Sequence, residues 1–171
     1  MKSHKRPVNE ETEINRLDNA ILNVTRKFRS RTDTTGYQSL SSVWSDLHPI
    51  ILSILLLPSG PLAAQYLLRV TGDFHDHLVA FRGAEEAKDY IRAVDTTWVQ
   101  LLSDARAASL SGTDRVRIAN VLRDGKDRAA EVGVNGIDVN GVVVPVYQEA
   151  LQVVMREQVA EAQEVVMRGE E

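Results

Sequence analysis

The chain predicts an all-α fold: a helical bundle of five to six helices with coiled-coil-like seams and one short β-hairpin or extended loop near residues 133–146. Three observations predict it. Apolar residues at Ile14, Leu17, Ile21, Val24 and Phe28 alternate three and four apart, the seam of a helix that packs on another helix. The same kind of stripe returns at Ala87, Ile91, Val94, Trp98, Leu101, Leu102 and Ala105, and again at Leu151, Val154, Met155, Val159, Ala162 and Val166. Only Gly133–Pro145, GVNGIDVNGVVVP, departs from it. Its two Asn-Gly pairs and β-branched run read as turn and extended chain.

Taken in order, residues 1–9 read as a flexible basic arm ahead of a single helical domain over 10–171. Glu10, Glu11 and Glu13 stand in the first turn of the first helix, and Arg26, Lys27, Arg29 and Arg31 at its end. Both suit the helix dipole. Thr32–Gly36 stops that helix. The second unit starts near Ser39 and passes Val43, Trp44 and Leu47 on its way to Leu57. His48-Pro49 predicts a kink or a break, with Pro49 opening a short new helix, because proline has no amide hydrogen and disfavours helix just before it. The stretch from Ile50 to Leu57 is the most apolar of the chain and predicts a buried central helix.

Pro58-Ser59-Gly60-Pro61 is a turn, and Pro61 suits the start of the next helix, Leu62 to about Phe81, which Gly72 weakens. Gly83, Glu85 and Glu86 introduce a helix over Ala87–Ala105. After a link at Ser109–Gly112, Thr113 and Asp114 open another through Val116, Ile118, Val121 and Leu122, which Gly125 ends or weakens. Pro145 then precedes a last helix from Tyr147. Val153 and Met167 fall off the main stripe of that helix, so it has more than one neighbour.

Composition narrows the function. At 171 residues, 43% hydrophobic and 26% charged, the chain is one ordinary globular domain. It has no Cys, which removes disulfides, thiolate metal sites and cysteine nucleophiles. The net charge of −4 is uneven, with a basic N-terminal stretch and an acidic one after Ala150 that attract each other in the fold or meet a partner. MKSHKRPVNEETE has no apolar run behind its charges, which predicts an intracellular protein, cytoplasmic or nuclear. Leu47–Leu57 is too short to span a bilayer, and any longer window crosses Pro58–Pro61.

The sharpest chemical cluster is GDFHDHL, with Asp73, His75, Asp76 and His77. His and carboxylate ligands suit zinc, manganese or iron, and a third ligand would come from His48. On a helix, however, His75 and His77 point roughly 200° apart. The expected arrangement has Phe74, Leu78 and Phe81 inward and the histidines outward on a solvated face. Residues 129–142 match part of a helix-turn-helix, with Arg115, Arg117, Arg123, Lys126 and Arg128 nearby for phosphates. Gly136, Gly141 and Val142–Val144 favour a hairpin instead. No nucleophile turn or phosphate loop is present, so no catalytic residue, metal site or cofactor is assigned.

The expected function is therefore a non-enzymatic protein-interaction or scaffold subunit that joins a larger intracellular assembly, as homo- or hetero-oligomer, through helix packing. Its candidate partner-binding residues are Ile14, Leu17, Ile21, Val24, Phe28, Leu151, Val154 and Met155. The alternatives are a nucleic-acid-binding module on the basic 115–128 segment and a helical metal-dependent enzyme on His75 and His77. Trp44 and Trp98 are expected in the core.

Overall fold

The computed structural model describes residues 8–169. Residues 1–7 of the expected arm lie outside them, whereas Val8 and Asn9 already belong to the first helix. Among the described residues there are six helices: α1 (Val8–Arg29), α2 (Leu40–Leu55), α3 (Gly60–Ala80), α4 (Ala87–Ser103), α5 (Gly112–Glu131) and α6 (Gln148–Arg168). A 3₁₀ turn, Ala105–Ser109, links α4 to α5. Strands β1 (Ile137–Val139) and β2 (Val142–Val144) form one antiparallel hairpin, Val139 pairing with Val142. The fold is the expected all-α bundle with a short hairpin.

Local chemistry explains most of the boundaries. Ser39 caps α2 in a capping box with Ser42, and Ser111 caps α5 in another with Asp114. Ser59 accepts from the Leu62 amide, and Pro61 sits in the first turn of α3. Past the end of α5, Gly133 takes φ +84°, so that its amide reaches Ala130 O at 3.0 Å and that of Val134 reaches Ala129 O at 2.8 Å. These two bonds are a Schellman motif. Asn140 and Gly141, both at positive φ (55° and 83°), make the two-residue turn of the hairpin.

Three expectations are corrected. α2 runs unbroken through Pro49. The proline and Ser45, whose carbonyl loses its amide partner, are both exposed, so the defect faces solvent and costs the core nothing. The apolar stretch at the end of α2 is not buried all round: Ile50, Ile51 and Ile54 point inward while Leu52 is 50% and Leu56 84% exposed. The central helix is α3, packed on α2, on α5 and at its start on the 3₁₀ turn. Gly125, finally, does not end α5 but lies inside it.

The core joins Leu17 and Ile21 of α1 to Val43 and Leu47 of α2, Leu67 and Phe74 of α3, Trp98 of α4, Ile118 and Leu122 of α5, and Val154 of α6. Trp98 is wholly buried, its Nε1 donating to Thr71 Oγ1 at 3.0 Å. Trp44 is half-buried, stacked between the rings of His48 (5.2 Å) and Tyr90 (4.6 Å).

Candidate functional site

The histidines of α3 face inward, against the expectation of a solvated face. Their spacing does put them on opposite sides of the helix, but α3 is covered on both. His77 meets the Phe28 ring edge-on at 4.5 Å, on the side of α1. His75 faces α5 and the start of α6, with Nε2 2.9 Å from the Tyr147 hydroxyl. Burial pulls both imidazoles down to about 4, helped at His77 by Arg31; at His75, Asp124 pulls upward and Arg128 downward. Both rings are neutral at pH 7. Pointing apart, they cannot share an ion, and His48 is stacked on Trp44. Among the described residues no group of three or more His, Asp and Glu is placed to hold a metal.

Tyr147 also starts α6, at a left-handed φ of 58° that gives it no capping side chain of its own. The cap comes from α4, where Asp95 Oδ1 accepts from the Ala150 amide at 3.1 Å. Burial raises the Asp95 carboxyl to about 6, with Glu149 adding to the shift and the backbone bonds opposing it. A raised acid prefers its neutral form in the fold, so its contribution to stability falls as pH rises through about 6. Asp95→Ala, which removes the cap, is expected to cost about 1 kcal/mol at pH 7. Asp95→Asn keeps an acceptor without the charge and is expected to stay nearer the parent. Urea unfolding of the three proteins checks this; equal damage by Asn and Ala would rule out the capping role.

The predicted docking residues divide. Leu17, Ile21 and Val24 are buried in the chain's own core and Ile14 and Phe28 are half-covered, because α1 packs along α2. Val154 is likewise buried and Leu151 half-buried, between α6 and the pair α4 and α5. Met155 alone of the eight stays exposed, at 45%. The first seam is therefore internal, a correction that follows from α1 having α2 as its neighbour within the chain.

What remains open is the outer face and far end of α6. Arg115 of α5, itself buried, forms ion pairs with Glu157 and, at 3.4 Å, with Glu161, and donates to Ala107 O at 2.9 Å. Gly112, the first residue of α5, lies beside Glu161. α6 continues to Arg168, roughly 10 Å further at about 1.5 Å per residue. Val165, Val166 and Met167 are exposed there by 63–75%, and Val159 on the outer face before it by 56%. Gln152, Met155, Arg156 and Val159 line a shallow depression of about 510 Å³ on the same face. The sequence showed the stripe and the off-stripe Val153 and Met167, but not which half is covered, since that depends on where α4 and α5 end.

The basic segment of α5 is largely engaged. Arg115 is internal, Arg123 lies against Asn120 and Met155, and Arg128 pairs with Glu131 at 3.9 Å. Residues 129–142 hold the end of α5 and the hairpin, so no second helix follows the turn.

Fold and surface together define a helical bundle whose last helix outgrows its neighbours. No helix among the described residues is long and apolar enough to cross a membrane. No family model matches the chain, and no solved structure matches it. The chain is similar to an uncharacterized protein of Schizosaccharomyces pombe, 27% identical over 112 residues that cover 63% of this chain and 69% of that protein.

Proposed function

We propose that this chain is a non-enzymatic interaction subunit of a larger intracellular assembly, and that α6 is its docking element. The far end of α6 carries the reading. A single helix without tertiary contacts is marginal in water, yet this one extends past α5 with valines and a methionine exposed. Met155, Val159, Ala162 and Val166 follow the four–three–four spacing of a helix-packing seam. The Arg115 ion pairs to Glu157 and Glu161 hold the opposite face of the helix against the body, so the seam faces away from it.

Affinity capture from the protein's own cells tests the reading. Val159→Asp combined with Val166→Asp is expected to lose the captured proteins, while stability stays within about 0.5 kcal/mol of the parent because both sites are exposed. Ile21→Asp, by contrast, buries a charge in the core and unfolds the chain. Capture of the same proteins at parental yield by the double variant would exclude α6 as the docking element.

A further inference from the structure

We infer that Asn135 is a site of spontaneous deamidation, and that the fold withholds the same reaction from Asn140. The chain carries the tripeptide Val-Asn-Gly twice, at 134–136 and at 139–141. In an unfolded chain the two are chemically alike, since a glycine leaves the amide nitrogen after the asparagine unobstructed in both. Both asparagines are exposed in the fold. A difference between their rates is therefore set by the backbone that holds them.

The reaction is an intramolecular acyl transfer. The Gly136 amide nitrogen gives its proton to solvent base and attacks Cγ of Asn135. An N–Cγ bond forms, the Cγ–Nδ2 bond breaks, and the side-chain nitrogen leaves as ammonia, taking a proton from water. Water then opens the succinimide at either carbonyl, giving aspartate or isoaspartate with no change of oxidation state. The step needs an amide nitrogen that can lose its proton and a backbone that can turn it onto the preceding side chain.

At Asn140 both are withheld. Asn140 and Gly141 are fixed at φ 55° and 83° in the hairpin turn, closed by the pairing of Val139 with Val142. The Gly141 amide also donates to Asp138 Oδ1 at 2.8 Å. That carboxylate opposes loss of the proton, because the anion formed would face a like charge.

At Asn135 neither restraint is present. Gly136 stands just before β1, and Ile137 opposite Val144 is a hydrogen-bonded pair of the ladder. The alternation of an antiparallel ladder then turns the Gly136 amide away from β2. Among the described residues no acceptor holds it. The hairpin itself imposes the reactive dipeptide: a Cβ at position 136 would stand 2.6 Å from Val143 Cγ1 and 3.0 Å from Val144 O. Conversion leaves a carboxylate just past the Schellman turn of α5, where the helix dipole disfavours it.

Incubation of the full chain at mildly alkaline pH tests the inference, with peptide mass spectrometry and fragmentation to locate aspartate and isoaspartate. Asn135 is expected to convert roughly tenfold faster than Asn140, the factor that one retained hydrogen bond supplies. In urea the two are expected to convert at the same rate. Asp138→Ala is expected to speed Asn140 in the folded chain and leave Asn135 unchanged. Equal rates in the folded chain, or an Asn135 that converts only in urea, would overturn the inference. An Asn140 as slow in Asp138→Ala as in the parent would overturn the role given to that carboxylate.

Discussion

Gly125→Ala is expected to destabilise the protein by about 2 kcal/mol, although the same change favours an isolated helix by about 1 kcal/mol. α3 and α5 make the most extensive helix contact among the described residues, and Gly125 lies in it, against His75 of α3. A Cβ there would stand 2.2 Å from Cε1 and Nε2 of His75 and 2.6 Å from the Tyr147 ring. Neither ring can yield easily. Both are buried, they are bonded to each other, and the tyrosine is tied to the entry of α6. The methyl group must therefore part α3 from α5 or break the His75–Tyr147 bond. Gly72, midway along α3, is the control, since nothing outside its own helix lies within 4 Å of the same added atom. Gly72→Ala is expected to stabilise by about 0.5–1 kcal/mol. Urea unfolding of both variants reads the opposite signs directly. Equal stability of Gly125→Ala and the parent would mean that the two helices separate at no cost.

The elements that were legible in the sequence are those whose cause is local. The acidic start and basic end of α1, Ser39 at the start of α2, and Asn140-Gly141 in the hairpin each act within a few residues of where they stand. What was not legible depends on neighbours distant in sequence. His75 and His77 flank an apolar face and look solvent-exposed in any helix packed on one side; α3 is packed on two. Gly125 reads as a helix breaker until His75 is placed against it, 50 residues earlier in the chain. Asp95 reads as an ordinary exposed carboxylate of α4, and only the docking of α6 turns it into a cap. The candidate surface divides the same way. The seams of α1 and α6 were visible as helix faces, but whether each was filled from within the chain depended on the lengths and ends of its neighbours.

Lowering the pH from 7 to 5 is expected to remove about 3 kcal/mol of stability, with the two buried imidazoles as the cause. Each has an ordinary value of 6.5 and is held at about 4 in the fold. Between those values the unfolded chain takes up protons that the folded chain refuses. Their stabilisation is thus present above 6.5 and lost on the way down to about 4, roughly 2 kcal/mol per ring having gone by pH 5. Asp95 works in the other direction. Raised from 3.8 to about 6, it gains its proton in the folded state first and returns about 1 kcal/mol over the same interval. Asp73, also raised by burial, acts in that sense too. Asp46, lowered by Lys27, and Asp104, lowered by Arg106, begin to matter only near and below their ordinary value of 3.8. The imidazoles therefore outweigh the raised acids in this window. His77→Phe places an uncharged ring against Phe28, which also meets Phe81, and is expected to remove about half of the imidazole loss, about 2 kcal/mol. Asp95→Asn deletes the opposing contribution and makes the decline steeper. Urea unfolding of the parent and both variants at pH 7 and pH 5 separates these contributions, and an unchanged parental stability across that interval would show that the interior accepts the protons without penalty.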